Sequence, residues 1–391
     1  MISLVEPAHV PSAHSMYAPV EVVGAGPSGL AAAITLARGG RRVVVHEAQP
    51  EVGHRFRRDL QGLENWSGTR DVLDVLRDLG LTLDFDRAPC AQGIGFDAWD
   101  RRYPLRSSTP LCYLVERGPG RGSLDRALLD QALALGVDVR FGSRRERLEG
   151  PGIFALGPRS ASAIAVGYHF ETHQEDGFWI ILDDALAPAG YAYLLVMGGR
   201  GTIKTCMFKN FSRRRTYVER TVERFRRLLD FDMRNSRFHG GVGNFFVPTT
   251  AHRGQHAIAG EQAGFQDALA GFGMRYAIQS GVMAAQCLLE ETDYEASWQQ
   301  QMKRQIETAW VNRAIYEHLG SHGYRWLLRV QAWTGDSSRF LRWLYRPARL
   351  RRLLLPWAQR RSALGITVRA VDDKAPPPNS NGVRRRQPSA A

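Results

Sequence analysis

The sequence contains little cysteine, and none of it in a paired motif. Its four cysteines lie far apart and form no C-x-x-C pair; they are Cys90, Cys112, Cys206 and Cys287. A disulfide framework and a cysteine zinc site are therefore not expected. The eleven histidines do not fall at ligand spacing with the cysteines, so no metal centre is predicted. The scarcity of cysteine pairs favours a protein of the reducing cytoplasm.

The sequence also lacks a long apolar run. The first such run, Val20 to Leu36, is broken by Glu21 and three glycines and follows no basic leader, so no secretory signal is expected. The stretch around Ala185 to Gly199 is too short to span a bilayer. Hydrophobic residues make up 44% and charged residues 23% of 391 residues, which is typical of a globular protein with a sizeable core. We expect a cytoplasmic protein, or one attached to a membrane surface.

Acidic residues are scarce at the C-terminal end. Residues 323–391 contain 15 of the 52 basic residues and 3 of the 39 acidic ones, so nearly all of the net charge of +13 resides there. Within residues 325–361, Arg alternates with Leu and Trp. This pattern is typical of a helix that lies in an anionic membrane surface, and equally of helices that pack on the body through Leu and Trp. Both interpretations stay open, and nucleic acid is not an expected partner because the charge does not cover a domain face.

The first fifty residues predict a βαβ unit. Residues 20–23 form an apolar strand pattern, and the glycine-rich segment 24–29 follows at once,. A helix-forming run covers residues 30–38, and residues 42–47 predict a second strand that ends in an acid,. A glycine motif in this context indicates a dinucleotide site far more specifically than the motif alone.

Each residue of the glycine motif has a role in binding a dinucleotide. Gly24 permits a tight turn, Gly26 lets the backbone approach a pyrophosphate, and Gly29 allows the helix and strand to pack closely. Ser28 lies at the helix N-terminus, whose free N–H groups and positive dipole end favour phosphates. Glu47 can accept hydrogen bonds from an adenosine ribose.

The remaining pattern divides the chain into further segments. Residues 165–250 alternate short apolar strands with turns, which predicts a separate β-rich layer. A strand pattern at 257–261 again ends in an acid, and a helix pattern follows at 273–289, so this distant segment is expected to close the first domain. Residues 291–371 predict helices, and the polar, proline-containing segment 372–391 predicts a disordered tail.

Three sequence blocks together resemble a known family. The first is Gly24–Gly29 with Glu47, the second runs from Arg117 to Leu128, and the third runs from Ala259 to Ala277. In order and spacing they are similar to the geranylgeranyl reductase-like flavoproteins, which share the glutathione-reductase-type FAD fold with aromatic hydroxylases and flavin halogenases. The blocks span residues 20–290.

The resemblance implies an α/β fold, with a glutathione-reductase-type FAD-binding Rossmann domain, an inserted β-rich substrate layer and C-terminal helices. It assigns residues 1–164 and 251–290 to the FAD-binding domain, 165–250 to the substrate-binding layer, 291–371 to the helical region and 372–391 to the tail.

The resemblance also implies cofactor contacts. Glu261 stands where the family has an Asp that binds the ribityl chain. Gly271 and Gly273 are expected to bring backbone N–H groups close to the flavin pyrimidine ring, where a helix N-terminus stabilises the negative charge of a reduced flavin. Arg117 is expected either near the cofactor or paired with the end of a helix or strand, and both alternatives stay open.

The resemblance implies an FAD-dependent oxidoreductase that transfers a hydride through flavin N5 to or from an apolar, isoprenoid or lipid-like substrate, with NAD(P)H as a candidate electron donor. Tyr191 and Tyr193 are the candidate catalytic residues. Residues 156–162 lack the Asp of the hydroxylase D-G element, and residues 177–182 lack the halogenase W-x-W-x-I-P element. Two alternatives stay open: an FAD monooxygenase of a small aromatic or polyketide-like compound, and a membrane-associated binding protein in which the flavin is structural.

Overall fold

The computed structural model describes residues 18–158 and 160–361. In chain order its strands are β1 (Val20–Val23), β2 (Val43–His46), β3 (Asp59–Glu64), β4 (Arg87–Cys90), β5 (Gln92–Asp97), β6 (Arg102–Arg106), β7 (Cys112–Arg117), β8 (Asp138–Arg140), β9 (Gly152–Phe154), β10 (Ala163–Glu171), β11 (Gly177–Leu182), β12 (Tyr191–Met197), β13 (Arg200–Met207), β14 (Arg234–Gly243), β15 (His252–Arg253) and β16 (His256–Ile258). Its α-helices are α1 (Pro27–Arg38), α2 (Val72–Asp78), α3 (Leu124–Ala134), α4 (Arg214–Leu229), α5 (Met274–Glu290), α6 (Tyr294–Gln301), α7 (Lys303–Trp333), α8 (Ser337–Tyr345) and α9 (Arg349–Arg361). The predicted disordered tail lies outside the described residues.

A six-stranded sheet forms the first layer, in the order β15-β16-β9-β1-β2-β8. Strands β16, β9, β1, β2 and β8 are parallel, and β15 is antiparallel at the edge. The valines of β1 and β2 are buried, as expected for a sheet covered on both faces. The chain leaves β1 toward β2 on one side and pairs β1 with β9 on the other, so the carboxyl end of β1 is a topological switch point.

Helices α1 and α5 cross at backbone contact on this sheet. A Cβ atom at Gly281 in α5 would lie 2.0 Å from the carbonyl oxygen of Ser28 in α1, so only glycine permits this approach. The contact joins the N-terminal βαβ unit to the segment after residue 256, as the sequence predicts.

A seven-stranded sheet forms the second layer, in the order β14-β10-β13-β12-β11-β5-β6. Its neighbours are antiparallel except for the parallel pair β11 and β5. Strand β12 covers the apolar run Tyr191–Met197 inside the segment 165–250 that is predicted to be rich in strands. The sheet also takes in β5 and β6, which lie outside the predicted segment 165–250. The domain division itself stays a prediction.

A three-stranded sheet has the order β3-β7-β4, and its strand β3 contacts α5 on the one hand and β12 and β13 on the other. The backbone N–H of Leu60 in β3 donates to Thr202 Oγ1 in β13 at 3.1 Å, which fixes the start of β3 against the seven-stranded sheet. Cys90 and Cys112 are directly opposed on β4 and β7, and all four cysteines are buried and free.

The C-terminal helices α7, α8 and α9 contain both buried and exposed large apolar side chains. Trp310, Val311 and Ala358 are buried in one cluster with residues of the seven-stranded sheet, whereas Trp333 and Trp343 are exposed. In the part of the chain that the structure describes, no helix is long and apolar enough to cross a bilayer.

Candidate cofactor and active site

Two of the three glycines in the turn after β1 are tightly packed against backbone atoms, and the third faces open space. Gly24 has φ +107°, and a Cβ atom there would lie 2.4 Å from the carbonyl oxygen of Ala155. A Cβ atom at Gly29 would lie 1.9 Å from the carbonyl oxygen of Gly24. A Cβ atom at Gly26 would meet nothing within 4 Å. The packing places Gly26 where the backbone can approach a ligand.

The N-terminus of α1 has no side-chain cap. Gly26 occupies the cap position and Pro27 begins the helix, and no side chain of residues 18–158 or 160–361 caps this end. Ser28 Oγ is buried and has no hydrogen-bond partner among the described residues. Helix N-termini leave their first N–H groups unsatisfied, so this end can bind an anion.

Glu47 lies at the carboxyl end of β2, next to the glycine turn. Its Oε2 accepts from the backbone N–H of Ala25 at 2.8 Å, and its Oε1 accepts from the N–H of Gln49 at 2.8 Å. These bonds fix the half-buried carboxylate at the edge of the sheet.

Glu261 follows β16 at the same edge, in the short turn Gly260–Ala263. Its Oε2 accepts from Arg55 Nη2 at 3.0 Å, and its Oε1 accepts from the N–H of Asn244 at 3.3 Å. Strands β2 and β16 are separated by β1 and β9, that is, by three strand spacings or roughly 14 Å. The two acids therefore lie along one edge at a distance that an extended ligand can bridge.

Gly271 and Gly273 precede α5 at this edge. Gly271 has φ +83°, and Gly273 is the cap residue of a second helix N-terminus without a side-chain cap. The turn is fixed by Asp267, whose carboxylate accepts from the N–H groups of Leu269 and Ala270 at 2.9 and 3.1 Å. We call the edge formed by Gly24–Gly29, Glu47, Glu261 and Gly271–Gly273 the groove.

Arg117 pairs with a helix, one of its two open alternatives. Its Nε and Nη2 donate to the carboxylate of Asp125 in α3 at 2.7 and 2.8 Å. Its guanidinium lies 4.1 Å from the centre of the Phe56 ring, and Asp125 is fully buried. Arg117 thus fixes α3 against β7, and its contact with a cofactor stays a prediction.

The two candidate tyrosines lie on the face of β12 that is turned toward the groove. Tyr191 Oη donates to the carbonyl oxygen of Ala270 at 2.5 Å, which ties the sheet to the turn that carries Gly271. The rings of Tyr191 and Tyr193 are 5.8 Å apart. Burial raises the pKa of both hydroxyls well above its usual value, so both stay protonated. Their catalytic role stays a prediction.

A cluster of four ionisable side chains lies on the same face of the sheet, and sequence reasoning did not find it. Lys204 Nζ lies 2.6 Å from Asp59 Oδ1 and 3.1 Å from His239 Nδ1, and His169 Nε2 lies 3.0 Å from the same Asp59 oxygen. We call these four residues the polar cluster. Lys204 and His239 are both directly opposite Gly167 on β10, whose missing side chain lets them meet.

Burial and charge oppose each other in the polar cluster. Burial raises the pKa of Asp59, but Lys204 and His169 outweigh it and hold that pKa well below its usual value. Burial lowers the pKa of Lys204, and Asp59 counteracts it. Burial and the neighbouring ammonium of Lys204 also lower the pKa of His239. The cluster therefore contains an ionised carboxylate and a neutral His239 at pH 7.

The donor atoms of Asp59, His169 and His239 lie within 4.8 Å of one another, as in some metal sites. The ammonium of Lys204 already contacts two of them and supplies the positive charge at that place. We therefore treat the cluster as a hydrogen-bonded network.

The N-terminal unit matches the model of a known family. Residues 22–64 match the NAD(P)-binding Rossmann-like domain. No curated protein shows significant sequence similarity to the chain.

Solved structures are similar over most of the chain. A geranylgeranyl bacteriochlorophyll reductase-like protein from Thermoplasma acidophilum has 18% identity and a TM-score of 0.67, over 88% of this chain and 97% of that one. A flavin-dependent brominase has 14% identity and a TM-score of 0.61, over 87% and 98%. A p-nitrophenol 4-monooxygenase from Pseudomonas putida has 16% identity and a TM-score of 0.53, over 83% and 98%.

The chain has the FAD-binding Rossmann fold. This confirms the predicted architecture of a Rossmann domain, a β-rich sheet and C-terminal helices. In an FAD-binding Rossmann fold, as in other doubly wound sheets, ligands bind at the carboxyl ends of the strands near the switch point, and the groove lies there.

Proposed function

We propose that the protein is an FAD-dependent oxidoreductase. The observation that carries this proposal is the groove, in which two uncapped helix N-termini and two strand-end carboxylates lie along one sheet edge. A dinucleotide offers phosphates for the first kind of group and ribose or ribityl hydroxyls for the second.

The residues present fit the two ends of an FAD molecule. Gly26 leaves open space beside the N-terminus of α1, which would hold the pyrophosphate, and Glu47 would accept from the adenosine ribose. Glu261 would accept from the ribityl chain, and the N–H groups that follow Gly271 would contact the pyrimidine ring. Bound FAD would supply two-electron redox chemistry at N5, while the chain binds and orients it.

The substrate that we propose is apolar and isoprenoid or lipid-like. Tyr191 and Tyr193 present aromatic surface next to the turn that carries Gly271, and the reductase-like protein from Thermoplasma acidophilum is among the similar structures. NAD(P)H is the electron donor that we propose.

Reconstitution tests the cofactor. The purified chain, incubated with FAD and freed of excess, is expected to show a flavin spectrum at one FAD per chain and to be bleached by NADH or NADPH. A protein that retains no flavin after reconstitution would contradict the proposal.

Anaerobic turnover tests the reaction class against the monooxygenase alternative, which the similarity to a p-nitrophenol 4-monooxygenase favours. A reductase reoxidises its flavin with an apolar unsaturated acceptor in the absence of oxygen, whereas a monooxygenase consumes oxygen and forms a hydroperoxyflavin in stopped-flow spectra. Flavin that stays reduced with every acceptor and with oxygen would instead support a binding protein.

A further inference from the structure

The polar cluster lies between the seven-stranded sheet and the groove. His239 Nε2 lies 2.8 Å from the carbonyl oxygen of Arg55, and Arg55 is paired with Glu261 of the groove. Tyr193, a residue of the groove-facing surface, is directly opposite Lys204 on the neighbouring strand. The cluster is thus connected to the groove through Arg55 and lies beside Tyr193.

The geometry fixes the direction of each hydrogen bond in the cluster. The carbonyl oxygen of Arg55 can only accept, so His239 Nε2 carries a hydrogen and its Nδ1 accepts from the Lys204 ammonium,. Asp59 Oδ1 accepts from Lys204 and from His169 Nε2–H. His169 Nδ1 is left without a partner among the described residues.

The side chain of His169 is more accessible to solvent than those of Lys204 and Asp59 in the polar cluster. The side chains of Lys204 and Asp59 are 1% and 3% exposed, whereas that of His169 is 14% exposed. A buried carboxylate that orients a histidine, with the outer ring nitrogen free, is the arrangement that general acid–base catalysis requires.

A purely structural role does not account for the composition of the cluster. A buried ion pair with two half-buried imidazoles beside it is often no more stabilising than apolar side chains of similar volume,. Clusters of perturbed ionisable groups facing a cleft are instead typical of functional sites.

We propose that His169 is the general acid–base of the site and that Asp59 is its positioning residue. This inference rests on the proposed function. Bound FAD in its reduced form would supply a hydride to one atom of a substrate double bond. The Nδ1–H bond of a protonated His169 would then break, and its proton would form a bond to the other atom. His169 becomes neutral and regains a proton from water. The substrate is therefore a compound with a polarised double bond, or the corresponding saturated product in the reverse direction.

Charged groups from four strands face His169. Asp59 on β3 and Glu116 on β7 bring negative charge, whereas Lys204 on β13 and Arg237, directly opposite His169 on β14, bring positive charge. The ring of His239 on β14 lies 4.4 Å from that of His169 between centroids. Reduction of a flavin in the groove adds negative charge to this balance, so we expect His169 to take up a proton on reduction.

The pH dependence of the flavin midpoint potential tests this coupling on the FAD-loaded full chain. If one extra proton is taken up per two electrons, the midpoint potential falls by about 30 mV more for each pH unit. This additional fall corresponds to a tenfold change in the reduction equilibrium. We expect this steeper slope in the wild type and its loss in His169→Gln. Asp59→Asn should reduce or displace it.

His173→Gln is the matched control, because His173 lies just beyond the same strand, is 78% exposed and pairs with Asp232. It should keep the wild-type slope. Equal slopes in wild type, His169→Gln and His173→Gln, with FAD bound in each, would overturn the role of His169 and leave the proposed function intact. Absence of bound flavin would overturn both. If His169→Gln fails to fold, His169→Asn provides the same comparison.

Discussion

Gly26 and Gly29 belong to the same turn but have different surroundings. A methyl group added at Gly26 should lower the affinity for FAD, whereas one added at Gly29 should lower the stability of the fold. Gly26→Ala adds a methyl group to open space at ordinary backbone angles, so the thermal stability of the apoprotein should not change while FAD affinity falls at least tenfold. Gly29→Ala forces a Cβ atom against the carbonyl oxygen of Gly24. It should lower the free energy of unfolding by about 1–3 kcal/mol.

Thermal unfolding of the apoproteins and FAD titrations measure the two effects separately. Equal loss of stability in both variants would show that Gly26 is packed like Gly29 and has no special place in the groove.

Lys204 belongs to an ion pair in which both side chains are buried, so it should be costly to remove. Lys204→Met leaves the carboxylate of Asp59 buried without its closest positive partner, so it should destabilise the fold by about 3–5 kcal/mol. Lys209→Met, five residues further and exposed, should leave the stability unchanged within about 0.5 kcal/mol. Urea unfolding at pH 7 makes the comparison, and similar midpoints for the two variants would contradict it.

At the scale of elements, the turn before α5 depends on a buried acid. Burial raises the pKa of Asp267 to about 6, although Tyr345 Oη and two backbone N–H groups donate to its carboxylate. The folded state therefore binds this proton more tightly than the unfolded chain. Its contribution to stability is fully present below about pH 4 and is lost as the pH rises through about 6, a change of roughly 3 kcal/mol.

Asp267→Asn removes this titration. The wild type should therefore lose stability relative to Asp267→Asn between about pH 4 and 6, as measured by urea unfolding across that range. Parallel stability curves for the two proteins would contradict the perturbed titration.

Elements with a strong local pattern could be predicted from the sequence, and those fixed by distant pairing could not. Short apolar runs predict strands such as β12, and the glycine motif with Glu47 predicts β1, α1 and β2. Strand β5 contains two glycines and pairs with β11, more than eighty residues away, so no local signal assigns it to the second sheet.

At the scale of the whole molecule, the groove was predictable but the polar cluster was not. Glycines and strand-end acids have a characteristic order along the chain, whereas Asp59, His169, Lys204 and His239 come from four strands and meet only through the register of β10, β13 and β14. Because side chains alternate along a strand, Lys204 lies on the same face of β13 as Thr202 and Cys206. The chain has few lysines, so a lysine in this apolar strand was the one sequence signal that indicated a polar site here.

The C-terminal helices give the molecule an exposed surface that combines large apolar side chains with arginines. Trp333, Trp343 and Leu353 are 88%, 63% and 77% exposed, and Arg349 and Arg352 are exposed in the same region. We propose that this surface binds anionic membranes peripherally, because Trp and Leu partition into the interface while each basic residue near it contributes about 1 kcal/mol.

Cosedimentation with vesicles tests this surface on the full chain. Binding to phosphatidylglycerol-containing vesicles should be strong at low salt, weak at high salt and weak with pure phosphatidylcholine. Arg349→Gln with Arg352→Gln should weaken it about thirtyfold, since two basic residues contribute about 2 kcal/mol, and Trp333→Ser with Trp343→Ser should weaken it at every salt concentration. Leu133→Ser, at an exposed position of α3, is the control. Binding that is unchanged in both double variants would show that the arginines and tryptophans of this surface are solvated without a lipid partner.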